Sequence, residues 1–356
     1  MSPTFVVSTG RCGSTLLSHL LNLHPEVLSA SEFLNVVTEG GRSDGFPAAG
    51  MDGRELWRRA SSSHPDVDGY VLAGMRAGEM IYPYETGRFR AETGIPLICH
   101  CLLPMLTDDP DALFDRLAAE VPGWPRRAAA DQYRALLDHL AGLLGRRVVV
   151  ERSGGSLSLI PQLAERYPEA RFVHMHRDGA DTALSMSRHP ATRHALLTQR
   201  AAATAGLPRS ASWEQIRAAA PPEFDGLLTA PYDGERFMAY PIPLPFFAWM
   251  WNAMVKAGTE ALERLPARRW TGLAYERLVA DPDAELTRLA GFVGVSAPPS
   301  WLDAARALID RSRTGSAAAK LAPDALAALR AACEPGARAI EALESAHPGA
   351  GVPARP

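Results

Sequence analysis

The chain has no run approaching the roughly 18–20 apolar residues that a membrane span requires. Its four cysteines, Cys12, Cys99, Cys101 and Cys333, are too few and too scattered over 356 residues for a disulfide framework. Cys99 and Cys101 lack a second pair, and no trio of His, Asp or Cys has metal-ligand spacing, so no metal is expected. Neither sign of charge dominates. With 37 Lys+Arg against 40 Asp+Glu the net charge is -3 and the pI about 6.4, which gives no broad footprint for nucleic acid or an anionic membrane. There is no internal repeat and no block of like charge. Residues 1–13 carry no basic segment and only a short apolar stretch, which argues against a secretory leader. The expected compartment is reducing cytoplasm.

What is present is an ordinary globular composition, 47% hydrophobic and 22% charged, in which short β-branched runs alternate with helical stretches. Strands are expected at 4–8, 27–30, 147–151, 171–175 and 269–273. Helices are expected at 16–23, 111–121, 131–144, 156–167, 179–188, 247–265 and 282–293, and from 316 to about 344. The alternation predicts an α/β fold with a mainly parallel sheet flanked by helices. The rhythm breaks in a Gly-rich loop at 38–53 and in an Ala- and Pro-rich stretch at 191–245 carrying Phe224, Tyr232, Phe237 and Tyr240. A single domain over 1–345 is expected, with cap insertions at about 38–145 and 191–250, and a flexible tail at 346–356.

Directly after the first strand comes Ser8-Thr9-Gly10-Arg11-Cys12-Gly13-Ser14-Thr15. Its glycines permit a tight turn in which backbone N–H groups and a helix N-terminus converge on an anion. The lysine of a Walker loop is missing, since Gly13 is followed by Ser14, and the cation stands earlier at Arg11. This disfavours ATP or GTP hydrolysis. A second strand–turn–helix, Arg171 to Ser185, puts Arg177 just past the carboxyl end of its strand, where open α/β sheets bind ligands. The other reading of Arg177 is a pair with Asp178 or Asp181 on a solvated helix start.

Arg11-Cys12-Gly13-Ser14-Thr15-Leu16-Leu17 resembles the Arg-x-Gly-Ser/Thr-Thr-Leu-Leu loop of the PAPS-dependent sulfotransferase superfamily, in its bacterial and tyrosylprotein-like branch. The resemblance implies a P-loop-like sulfotransferase fold, with Arg11, Cys12, Gly13, Ser14 and Thr15 binding the donor's 5′-phosphosulfate. Arg177 and Ser185, eight residues apart, are similar to the pair that grips the 3′-phosphate. Tyr275-Glu-Arg-Leu-Val-Ala-Asp-Pro282 is similar to the family's Tyr-Glu-x-Leu-x-x-Asp-Pro region, which implies that Tyr275 lies against the adenine; a core aromatic is the other reading. Arg311-Ser-Arg313-Thr-Gly315 resembles the late Arg-x-Gly loop over the 3′-phosphate. The family's Trp-Lys ending is replaced by Ala-Ala-Ala-Lys320, so only Arg313 and Gly315 carry over.

Sulfuryl transfer from PAPS to a hydroxyl needs a base, cations at the transferring group and in-line reactants. The cytosolic branch carries its base histidine after a strand like 147–151, where this chain reads Arg152-Ser153-Gly154. Glu32, in Ser29-Ala-Ser-Glu32-Phe-Leu after His24-Pro25, is the candidate base, as in tyrosylprotein and bacterial carbohydrate sulfotransferases; a cap or surface acid is the alternative. Arg11 and Arg152 are the candidate cations, Arg152 having Glu151 as a possible structural partner. His100 is the rival base, although its apolar surroundings suit a satisfied core histidine. His174 and His176 fit internal hydrogen bonds on a strand.

The expected activity is transfer from PAPS, releasing PAP, to an alcohol or phenol of a small molecule, lipid or carbohydrate. A small-molecule kinase or a non-catalytic PAP-binding protein is the alternative. The acceptor is expected among the loop 38–53, the helices of 104–144 and the insertion 191–250, with Trp249 and Trp251 as candidate lining residues.

Overall fold

The computed structural model describes residues 3–39, 45–208 and 210–347. Part of the expected loop, 40–44, and most of the expected tail, 348–356, lie outside the described residues. Five strands form one sheet: β1 (Thr4–Val7), β2 (Val27–Ser31), β3 (Val148–Ser153), β4 (Arg171–His176) and β5 (Trp270–Ala274). Their order is β2-β3-β1-β4-β5 and every pairing is parallel. The α/β architecture expected from the alternation is the one observed. The chain goes to one side of β1 for β2 and β3, then crosses to the other for β4 and β5. Such a reversal opens a crevice at the strands' carboxyl ends.

Burial explains the nearly unbroken apolar strands. Phe5 and Val7 of β1 face one core layer, with Leu28, Phe33, Phe172 and Trp270; Val6 faces the other, with Leu17, Leu21, Val150, Val173 and Leu273. A third cluster joins helices Gly179–Met186, Leu244–Glu263 and Pro323–Ala346 around Trp251, which is 1% exposed. Pro335 interrupts the last of these helices. Asn252 enters the break: its amide donates to Ala332 O at 2.7 Å and its oxygen accepts from Gly336 N at 2.9 Å, so both backbone groups stay satisfied.

The two insertions share a core of their own. Tyr70 and Met75 of the first pack with Leu197, Phe224, Leu228 and Phe237 of the second. The aromatic residues expected to face a ligand are mainly used here, ring against ring, with Tyr70 stacked on Tyr232 at 5.1 Å. Among the described residues no helix is long and apolar enough to cross a membrane.

Trp251 is the residue on which the third cluster closes; a Cβ added at Gly179 would sit only 2.9 Å from its ring. Trp251→Ala is expected to lower stability by about 3–5 kcal/mol, read from the urea midpoint. A loss under about 1 kcal/mol would mean that the helices close without it.

Candidate active site

The glycine turn after β1 depends on two left-handed glycines, Gly10 (φ 73°) and Gly13 (φ 91°). A Cβ at Gly13 would overlap the ring of Tyr275, so glycine is required there twice over. Gly13 caps helix Ser14–Asn22 without a side-chain bond, and no acidic residue occupies the first turn. Its free amides and dipole therefore face whatever lies in front. Arg11 is itself left-handed (φ 59°), an unusual state for a residue other than glycine and a form of strain that gathers at functional sites.

A cavity of about 420 Å³ in front of this turn is lined by Arg11, Ser14, Thr15, Arg177, Ser185, Tyr275 and Arg313, among others. The sequence elements assigned to two anion grips thus meet in one space. They are also linked: Arg11 Nε donates to Ser185 Oγ at 3.3 Å. The Arg177 guanidinium lies 4.7 Å from the Tyr275 ring centre. The pair with Asp181 is made at 2.8 Å, and the same nitrogen donates to Arg313 O. Arg177 Nε is buried without a partner. Arg313 pairs with Asp310 at 3.2 Å.

Two assigned residues do not line this cavity. The Cys12 thiol packs into the core with Val6 and Leu17, where burial pushes it up from its ordinary value, so at this position the turn has only its backbone to use. Gly315 acts through its backbone, donating to Asp181 at 2.9 Å. Ala317 N donates to the same carboxylate at 2.7 Å. Together with Arg177, it holds the Asp181 carboxyl below its ordinary value against the effect of burial.

At the tips of β2 and β3, Glu32 and Arg152 form a buried ion pair. Arg152 also donates from Nε to Ser18 Oγ at 3.0 Å and from Nη2 to Ser31 Oγ. The suggested Arg152–Glu151 pair does not form. Neighbours on a strand point to opposite faces, and Glu151 turns away to accept from Ser153 Oγ at 2.6 Å. Its other oxygen has no partner, and burial pushes its carboxyl up to about 8. Arg152 lies on neither cavity wall; it sits behind Glu32.

Glu32 holds the N-cap position of helix Phe33–Val37 in a left-handed conformation (φ 58°) but makes no side-chain cap. Its oxygens accept from Gly154 N at 3.1 and 3.2 Å and from Asn35 Nδ2 at 2.6 Å as well as from Arg152. Burial pushes the carboxyl up; Arg152 and the Gly154 amide pull the other way without cancelling it.

Glu32 also lines a second cavity of about 730 Å³. Its walls come from 32–36, 64–101 and 189–214, which includes part of the insertion expected to hold an acceptor but none of the helices of 104–144. Trp251 is core and Trp249 is 56% exposed on the outer surface; neither reaches it. His100 does, buried, with Tyr84 O–H and its Nδ1 at 3.0 Å. His176 bonds Glu344 at 2.9 Å as expected, whereas His174 Nε2 has no partner and burial brings that ring down to about 3.

Two residues the sequence reading missed join the cavities. Glu79 lines both, pairing with Arg11 at 3.1 Å and with His189 Nε2 at 2.9 Å. Burial opposes its charge, yet the His189 bond and charge, with Arg11, bring the carboxyl down to about 2. No motif marks either residue; they stand 110 positions apart and meet only through the cap.

No family model matches the sequence, and no curated protein matches it either. Among solved structures, the chain is similar to a sulfotransferase domain from the curacin biosynthetic pathway, at 15% identity and TM-score 0.48 over 92% of this chain and 95% of that one. It is similar to a sulfotransferase domain of the Synechococcus PCC 7002 olefin synthase, at 16% identity and TM-score 0.45 over 92% and 93%. A third is sulfotransferase STF9 from Mycobacterium avium, at 16% identity and TM-score 0.41 over 93% of this chain and 75% of that one.

Removing one member of a buried pair strands the other charge. Arg152→Met is expected to cost about 3–5 kcal/mol in chemical denaturation, and adding Glu32→Gln should restore part of it. A single variant as stable as the parent would show that the pair carries no such constraint.

Proposed function

We propose that this protein is a sulfotransferase that moves a sulfuryl group from PAPS to a hydroxyl of a small molecule, releasing PAP. The observation that carries the reading is the gathering of Arg11, Ser14, Thr15, Arg177, Ser185, Tyr275 and Arg313 around one cavity at the carboxyl edge of the sheet, adjoining a larger cavity that holds Glu32. A donor with phosphates on both 3′ and 5′ positions suits two cationic ends in one space. The unpartnered Arg177 Nε fits such a ligand.

In this reading the glycine turn, Arg11 and the helix N-terminus take the phosphosulfate, Arg177 and Ser185 take the 3′-phosphate, and the Tyr275 ring flanks the adenine. Arg313 and the Gly315 backbone close the late loop. Glu32 is the proposed general base; a buried carboxyl lifted from its ordinary value is better matched to a hydroxyl. Arg152 acts through Glu32, as a positioning residue. The larger cavity receives the acceptor, whose apolar body suits Val36, Val67, Tyr70, Met80 and Leu97.

Thermal shift with PAP against ATP tests the nucleotide class, and transfer of labelled sulfate from PAPS tests turnover. Stabilisation by ATP alone would favour a kinase; PAP binding without transfer would favour a binding protein. Arg177→Ala is expected to weaken PAP binding by about 1.5–3 kcal/mol in calorimetry, and unchanged affinity would remove the 3′-phosphate assignment. Glu32→Gln is expected to keep donor affinity and lose about 10²–10⁴-fold in kcat. Full activity in that folded variant would take the base role from Glu32.

A further inference from the structure

We infer that the acceptor is a cation, an ammonium group joined to the reacting hydroxyl through an apolar body, and that Asp66 and Glu214 receive its charge beside the rings of Tyr70 and Trp213. The inference rests on the sulfuryl-transfer reading and narrows the acceptor to a chemical class. Four carboxylates line the larger cavity, Glu32, Asp66, Glu79 and Glu214, and among the described residues no arginine or lysine does. The donor cavity beside it is the reverse, with Arg11, Arg177 and Arg313 on its walls.

The four carboxylates fall into two groups. Glu32 and Glu79 are compensated by Arg152 and Arg11, and they stand where the cavities adjoin, since Glu79 lines both. Asp66 and Glu214 have no such partner: among the described residues neither pairs with an arginine or lysine. Asp66 lies in the first turn of helix Pro65–Leu72 and Glu214 in that of helix Trp213–Ala219, where negative charge is favoured. Both reach water, the Asp66 side chain being 22% exposed and Glu214 exposed. A bond from its own backbone and one from Ser212, with the charge of Arg217, hold the Glu214 carboxyl below its ordinary value.

The histidines of the wall supply no counter-charge to these two acids. His100 and His189 each face another carboxylate, Asp68 at 3.5 Å and Glu79 at 2.9 Å. Burial brings the His194 ring down from its ordinary value, and its Nε2 meets Leu228 O at 2.8 Å. His64 Nδ1 accepts from Asp66 N at 3.2 Å, so the nitrogen that stands 4.0 Å from the Asp66 carboxylate carries no proton.

Aromatic rings accompany the uncompensated acids. Half-buried Trp213 precedes Glu214 and meets the His194 ring with centres 5.5 Å apart. His194 lies 6.1 Å from Tyr70, which stands one turn after Asp66. The charge of Asp66 acts on both Tyr70 and His194. Carboxylates beside aromatic rings attract an ammonium group twice, through its charge and through the ring quadrupole. An anionic acceptor would meet four carboxylates and no cation. In the transfer, the hydroxyl oxygen bonds to sulfur and the bond from sulfur to the bridging phosphate oxygen breaks, its electron pair going to PAP. The hydroxyl proton passes to Glu32, and the ammonium group keeps its protons throughout.

Transfer of labelled sulfate from PAPS near neutral pH, with acceptors matched in size, tests the inference: tyramine against 4-propylphenol, and 8-amino-1-octanol against 1-nonanol. The charged member should have the higher kcat/KM by at least about tenfold in one pair or both. Asp66→Asn combined with Glu214→Gln should bring that ratio close to one. A smaller preference in both pairs, or one that survives in the folded double variant, would overturn the inference and leave the sulfuryl-transfer reading standing. A wild type that moves no label and binds no PAP would remove that reading. Calorimetry with the same pairs then decides the cation site by itself, where tighter binding of the amine supports it and equal affinity sinks it.

Discussion

The site is built on the buried ion pair between Arg152 and Glu32. Charges removed from water are tolerated only when their remaining hydrogen-bonding capacity is filled, and here it is filled from four directions. Ser18 comes from the first helix, Ser31 from β2, and Gly154 from the turn after β3, while Asn35 comes from the helix that Glu32 opens. The backbone takes part as well, since Glu32 N donates to Arg152 O at 2.7 Å and Ser31 stands opposite Arg152 in the β2–β3 register. Satisfying the pair therefore fixes how β2, β3 and the helix Ser14–Asn22 end relative to one another. It also explains why Glu32 is held left-handed: an extended backbone there would turn the carboxylate away from its partners.

Above this fixed floor the other ion pairs differ in kind. Arg11 with Glu79, Arg177 with Asp181 and Arg313 with Asp310 each join a cation to a carboxylate at the wall of a cavity. The Arg313 pair is open to solvent, where such pairs contribute about 0–1 kcal/mol. A phosphate brings more charge and more acceptor atoms than the carboxylate it meets. The internal partners thus keep the arginines in place and compensated. Asp181 differs from the other two because two backbone amides also bind it. Arg177 meets it through one terminal nitrogen and keeps Nε buried without a partner; in the proposed function that nitrogen serves the 3′-phosphate.

Much of this arrangement was legible in the sequence because it is local. The β-branched run, the glycines and the paired hydroxyls of residues 4–15 define a strand, a turn and a helix within a dozen residues, and the same holds for 171–185. Strand alternation likewise separates Glu151 from Arg152 on opposite faces of β3. What could not be read was non-local. Glu79 lies in a stretch of Gly, Pro and Tyr without periodicity, and its partners Arg11 and His189 come from 68 positions before it and 110 after. The helices of 104–144 have clear amphipathic patterns, and such a pattern is the mark of a core-packing element. Leu113, Leu117, Leu136 and Leu140 are accordingly buried in the main core.

The division of labour between sheet and cap follows from the same physics. Anion recognition needs backbone amides and arginines held to fractions of an ångström, and the carboxyl edge of a buried parallel sheet supplies that rigidity. Recognition of an apolar body, as the proposed function requires, needs shape instead, and the two insertions close on each other through Tyr70, Leu197, Phe224 and Phe237. At the cavities one carboxylate links the two units. Glu79 belongs to the cap's segment, yet it holds Arg11 of the sheet's turn on one oxygen and His189 on the other. Any exchange of Arg11's partner must change the charge that His189 experiences, because one buried carboxylate serves both. The cap can therefore vary its lining without disturbing the sheet's grips, provided that this carboxylate stays in place.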